Sequence, residues 1–552
     1  MRNWLTRFWR SLSVGGIVLG TLFLAASLTP TLVPRTFVMQ GALSGACLAA
    51  GYGIGVAGRW LWAYMELPEL RERWLRPARF VAVILCAFIA LYYFWRTTGW
   101  QNSIRAVMGL DPVDSAHPFE VGALAVVTFL ALIALARLFK ICVRLIARQS
   151  ARILPRRVAA VIGVAVAIFV FWTIANGVLV SYTLRILDSS FAAFDALIEP
   201  DRPQPTDPLK TGSAASLVPW QLLGRAGREF VATGPTGDEI ARFTQADALE
   251  PIRVYVGLGA ADTAEARAAL ALEELKRVGA FDRSMLVVVT PTGTGWIDPS
   301  SLDAVEYLHH GDIASVALQY SYLASPLSLL MQPDYGSEAA RALFAAVYDY
   351  WITLPRGARP KLYLHGLSLG AMNSARSTEL FELLGDPIQG ALWSGPPFAS
   401  GIWRSVTNRR NAGTPEWLPQ FRDGSFIRFM NQDGFTVPAD MRWGPMRIVY
   451  LQYASDPITF FDYRDAFRRP DWMNAPRGRD VSPELRWYPI VTMLQLALDM
   501  AVAGGTPMGY GHVFAPEHYV EAWVAVSDPP GWTQDGIAQL KDYLAARARA
   551  DQ

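Results

Sequence analysis

The feature that most constrains this chain is a set of five long stretches without charge in its first third. They lie between Arg10 and Arg35, Arg35 and Arg59, Arg79 and Arg96, Glu120 and Arg137, and Arg157 and Arg185. A helix that crosses the hydrocarbon core takes about 20 mostly apolar residues, with a range of about 17–25. The third and fourth stretches fall slightly short, and flanking Arg side chains extend them by reaching back to the interface. Five transmembrane helices are therefore expected. Composition agrees, since only 18% of the 552 residues are charged, against about 25% in an ordinary soluble domain.

Charge gives the orientation. Of 50 basic and 48 acidic residues, 18 and 6 lie up to Thr183, so a basic first third is joined to an acidic remainder. With the N-terminus inside, cytoplasmic segments hold 15 basic residues, including Arg59, Arg71 to Arg79 and Arg137 to Arg157. The outside loops hold Arg35, Arg96 and Arg105. Lys and Arg accumulate on the cytoplasmic side, so the expected location is a plasma membrane, multi-pass, with everything after about residue 185 outside. The basic start and the apolar run behind it also fit a cleaved signal peptide. Against that, no small-residue cleavage site follows, and four further spans do not depend on it. A net charge of +2 excludes a strongly basic nucleic-acid binder. Cys47, Cys86 and Cys142 all fall in or beside the membrane region, so no disulfide framework or Cys zinc site is expected in the exported part.

Residues 199–219 (EPDRPQPTDPLKTGSAASLVP) read as a Pro-rich tether. Beyond it, short continuous apolar runs alternate with helical patterns. Strands are expected over residues 253–258, 285–290, 313–320, 361–365, 389–393 and 447–453. Such strands, buried on both faces and separated by helices, mean a mostly parallel sheet in an α/β architecture.

One junction carries chemistry. The strand KLYLH runs into Gly366-Leu367-Ser368-Leu369-Gly370 and then into a helix. A G-x-S-x-G between strand and helix holds its Ser on a sharp turn with the helix N-terminus behind it, the arrangement of an activated nucleophile. The bland reading is a tight turn whose Ser caps the helix. A nucleophilic Ser needs a base and an orienting acid, which in this architecture follow in the order Asp or Glu, then His. Two His follow Ser368. His512 lies in the Gly-flanked loop GYGHVF, whereas His518 opens a terminal helix, so His512 is the preferred base. His365 reads as a strand-end residue, and His309 and His310 as helix-end residues. Asp456 (Ala454-Ser455-Asp456-Pro457), at the end of strand RIVYLQY, is the preferred acid over Asp433, Asp440 and Asp462, although it could simply cap the next turn. Oxyanion donors are expected from the Leu369 amide and from the Gly293 and Thr294 region of the loop TPTGTGW. Neither a phosphate-binding motif nor a metal or cofactor site is expected.

At these residues the chain resembles the α/β-hydrolase superfamily over approximately residues 250–550. Through residues 216–231 (SLVPWQLLGRAGREFV) and the GLSLG elbow it resembles a family of bacterial membrane-anchored α/β-hydrolases. The resemblance implies a multispan region (1–185), a linker (186–250) and a hydrolase-like catalytic domain (251–552) with an inserted cap (401–445). The first strand leads into a helix where the superfamily usually has a hairpin. The cap stretch holds Trp403, Trp417, Phe421, Phe426, Phe429, Phe435 and Trp443, which read as a small cap core or as a surface for an acyl chain. The expected function is a membrane-tethered serine hydrolase acting on a lipid-linked or envelope ester. An acyltransferase with the same triad and an inactive transport or assembly factor are the alternatives. The expected partners are the bilayer and the ester substrate.

Overall fold

The computed structural model describes residues 13–68, 72–173, 195, 197–199, 202–323, 325, 328, 334–378, 385–437 and 441–550. The chain divides into two compact units. The first comprises Met1–Leu184 and Phe461–Ala503, the second Arg185–Phe460 and Gly504–Gln552.

The first unit contains the helices α1 (Val14–Ser27), α2 (Phe37–Tyr64), α3 (Glu72–Val107), α4 (Pro118–Ser150) and α5 (Arg156–Trp172). Among the described residues, three helices are long and apolar enough to cross a membrane: Phe37–Tyr64, Pro77–Val107 and Pro118–Ser150. The shorter α1 is apolar as well. The last of the five expected spans continues beyond Thr173 into residues outside the described set. Small residues let α1 and α2 approach closely: a Cβ on Gly20 would sit 2.8 Å from the Leu48 carbonyl, and one on Gly51 would sit 2.6 Å from that of Leu19. Backbone approach of this kind holds helices together where lipid removes the hydrophobic drive.

Residues 251–552 are expected as one domain, but Phe461–Ala503 groups with the first unit. Polar side chains explain why. Asp499, on the helix Val491–Val502, receives Arg35 Nε at 2.7 Å and the Leu32 amide at 3.2 Å. Gln495 Nε2 lies 3.2 Å from the carbonyls of both Ser27 and Thr29. Glu484 accepts from Trp100 Nε1 at 2.8 Å and Arg96 at 3.1 Å. Partners so far apart in sequence leave no local pattern to read.

Among the described residues the second unit is built on eight strands: β1 (Ile252–Val256), β2 (Met285–Thr290), β3 (Ile313–Leu318), β4 (Lys361–Leu367), β5 (Gly390–Ser394), β6 (Ile427–Asn431), β7 (Gly434–Phe435) and β8 (Arg447–Leu451). Their order is β1-β3-β2-β4-β5-β8-β6-β7, parallel throughout except for the β6–β7 hairpin. Strands β1, β2, β3 and β5 are buried along their whole length, as their mostly apolar runs require when helices cover both faces. The helices Ala264–Arg277 and Tyr335–Thr353 pack together as one cover, and Pro299–Leu308 and Pro516–Ser527 as another.

Two expectations are corrected here. Part of the expected cap is sheet: β6 and β7 extend it past β8, and Phe429 stacks on Tyr450 with centroids 5.1 Å apart. Trp403 donates to Gln452 Oε1 at 2.7 Å. These aromatics belong to the flank of the sheet. The described part of the 199–219 tether is also tied down, because Glu274 accepts from the Ser216 hydroxyl at 2.7 Å and the Leu217 amide at 2.9 Å. Trp220 and Leu223 are buried behind it. Pro-rich composition suggests a free linker, while a buried carboxylate on the helix Ala264–Arg277 fixes it.

Candidate active site

The register of the sheet gathers the site. Thr290 ends β2 beside Gly366, Leu367 ends β4 beside Ser394, and Ser394 ends β5 beside Leu451 of β8. The loops leaving these four parallel strands therefore emerge at one edge, where ligands bind in open α/β sheets.

Ser368 occupies the turn between β4 and the helix Leu369–Ala375, with φ 57° and ψ −122°. This is a left-handed conformation that costs a non-Gly residue about 1–3 kcal/mol. The flanking glycines make the turn possible. A Cβ on Gly366 would lie 2.4 Å from Gly370 carbonyl atoms, and one on Gly370 would lie 2.1 Å from the Thr290 carbonyl. The helix is thus pressed against the end of β2 with its first amides at the Ser.

The other two expected members come together. Asp456 is fully buried after β8. Its Oδ1 accepts the Ile458 amide at 2.8 Å, and its Oδ2 accepts the Thr459 hydroxyl at 3.0 Å and His512 Nδ1 at 2.7 Å. Asp456 therefore caps the following turn and also orients the imidazole. His512 Nε2 is buried and has no hydrogen-bond partner among the described residues. Gly511 N donates to Ser455 Oγ at 2.9 Å, which ties the His loop to the Asp loop. Gly395, just after β5, is a determinant that sequence reading missed: a Cβ there would sit 2.6 Å from His512 Cε1. The only sequence trace of this role is a glycine directly after a strand.

The competing residues are otherwise engaged. His518 Nδ1 meets the Tyr453 hydroxyl at 2.6 Å. His365 Nδ1 donates to the Leu392 carbonyl at 2.9 Å, and burial lowers its pKa to about 4. His309 bonds Ser527 Oγ at 2.9 Å. Asp433 forms the β6–β7 turn, Asp462 caps a turn in the first unit, and Asp440 lies outside the described residues.

Ser368 and His512 line one cavity of about 540 Å³, within the usual size of small-molecule sites. Leu367, Ile458, Met508, Val513 and Phe514 supply apolar wall. Thr292, Trp296, Asp298, Ser300, Asp303 and Arg547 supply the polar part. None of the seven aromatics of the expected cap lines it. Of the expected oxyanion donors, Leu369 opens the helix behind Ser368. The Gly293 amide donates to Ser325 Oγ at 3.1 Å, while that of Thr294 has no partner among the described residues. Gly293 and Thr294 do not line the cavity; Thr292, next to them, does.

Comparison with known proteins agrees with this fold. Residues 252–540 match a family described as "Alpha/beta-hydrolase family", and residues 28–235 match one described as "Alpha/beta-hydrolase family N-terminus". No curated protein and no solved structure matches the chain.

Proposed function

From the premise that this chain belongs to the alpha/beta-hydrolase family, we propose that it is a serine hydrolase, tethered to a bacterial plasma membrane by its apolar helices, that cleaves an ester. One observation carries the reading: His512 is held at Nδ1 by a buried carboxylate, its buried Nε2 has no hydrogen-bond partner among the described residues, and His512 lines the cavity that Ser368 also lines. An imidazole oriented in this way is a base waiting for a hydroxyl.

In this reading, Ser368 Oγ attacks the ester carbonyl and its proton passes to His512 Nε2. Asp456 keeps Nδ1 protonated and stabilises the imidazolium. The Leu369 amide, at a helix N-terminus, donates to the oxyanion. Collapse of the intermediate breaks the C–O bond, and His512 returns the proton to the departing alcohol. Water then attacks the acyl-serine with His512 again as base, which releases the acid and regenerates the Ser368 hydroxyl. In this reading the basic segments of the first third face the cytoplasm and the catalytic unit lies on the outer side of the membrane, which the excess of Lys and Arg in those segments supports.

The test is turnover of a short p-nitrophenyl ester by the full-length protein in detergent. Ser368→Ala and His512→Ala should each lower kcat by about 10⁴-fold or more. Hydrolysis that survives Ser368→Ala would sink the proposal.

A further inference from the structure

The cavity at Ser368 has two chemically distinct parts. Leu367, Ile458, Met508, Val513 and Phe514 suit an acyl chain. The loop after β2 and the helix behind it contribute Trp296, Asp298, Ser300 and Asp303, which Arg547 of the C-terminal helix joins. An apolar ester needs none of these.

Their charges nearly cancel. Asp303 pairs with Arg253 at 2.7 Å, and the same guanidinium holds Glu306 at 2.7 Å, so one cation faces two carboxylates. Arg547 lies in the field of Asp303 and supplies the second positive charge. It makes no hydrogen bond among the described residues, which leaves its donors for a ligand. An anionic headgroup would meet Asp298 and Asp303, and a cation would meet Arg547. A neutral group rich in hydroxyls fits both, because each hydroxyl donates to a carboxylate and accepts from a guanidinium. Trp296 is 37% exposed and presents an aromatic surface at the same cavity. Large amphipathic rings of this kind pack against the C–H face of a ligand whose edges are polar.

We propose that this part of the cavity is a subsite for a sugar or comparable neutral polyol forming the alcohol arm of the ester. Trp296 is its platform, and Asp298, Asp303 and Arg547 are its hydroxyl partners. The inference rests on the serine-hydrolase reading for the word ester, but not for the binding of the polyol itself.

Two measurements separate the two claims. In the first, the full-length protein in detergent is given the glucose monoester and the ethyl ester of the same fatty acid. The expected kcat/KM for the sugar ester is at least tenfold the larger, and Trp296→Ala and Arg547→Gln should each shrink that ratio severalfold. Equal values for the two esters, or a ratio unmoved by both variants, would overturn the subsite. In the second, saturation-transfer NMR follows methyl β-glucoside with Ser368→Ala protein, which cannot turn over. Transfer to the sugar that Trp296→Ala abolishes supports the subsite even if no ester is cleaved. No transfer to the sugar refutes it even if esters are cleaved.

Discussion

At the scale of single residues, the site depends on close approaches that leave little freedom. Gly395→Ala would drive a methyl group into His512 Cε1, which a Cβ would approach to 2.6 Å. The expected result is a fall in kcat of tenfold or more with the protein still folded, read by ester turnover beside a thermal melt. Asp298 offers a different test. Burial raises its carboxyl to about 6, whereas an unfolded Asp releases its proton near about 3.9. Between those values the folded chain binds more protons than the unfolded one, so this group's contribution falls as pH rises through the window. Above the window the buried carboxylate costs about 3 kcal/mol. Asn keeps the cap to the Ser300 amide, now bonded at 3.0 Å, without the charge. Asp298→Asn should therefore raise Tm at pH 8 and give little gain at pH 4; an equal gain at both would contradict this assignment.

At the scale of elements, strands β1 to β5 and β8 and the Ser368 elbow were legible because each is written in consecutive residues: a β-branched run, or glycines at fixed offsets around a Ser. The pairing of Asp456 with His512 was legible from loop chemistry and chain order. What escaped were elements defined by distant partners. Strand β6, IRFMN, has Arg428 and Asn431 in a short run, and it becomes a strand through pairing with β8. The segment Phe461–Ala503 packs into the first unit, not with the rest of 251–552, through partners of Asp499 and Gln495 that lie more than 450 residues earlier in sequence. This packing supplies a prediction. Arg35 and Asp499 have side chains 1% and 0% exposed, and removing one member of such a pair leaves a buried charge that typically costs about 3–5 kcal/mol. Arg35→Ala should lower the stability of the first unit by that order in detergent, read by denaturant melts. A change below 1 kcal/mol would mean that the pair does not hold the segment.

At the scale of the whole molecule, the chain leaves the sheet unit after Phe460, shortly past Asp456, and returns at Gly504, shortly before His512. Every residue lining the cavity nevertheless belongs to the sheet unit. A protein truncated to begin at residue 195 keeps the whole lining, but strands Asp499 and Gln495 without Arg35 and the Ser27 carbonyl. It should be recovered as a folded monomer only when residues 461–503 are replaced by a short Gly/Ser linker, as size-exclusion chromatography would show. Topology reporters should find residues 140–157 on the cytoplasmic side and residue 210 outside; a cytoplasmic residue 210 would reverse the orientation. The central claim is that Ser368 is a nucleophile activated by His512 and Asp456. Its most direct measurement is peptide mass spectrometry of the full-length protein in membranes after exposure to a fluorophosphonate. The account predicts a phosphonyl adduct on Ser368 that is lost in His512→Ala and retained in His518→Ala. A folded protein with an unmodified Ser368, or an adduct indifferent to His512→Ala, would contradict it.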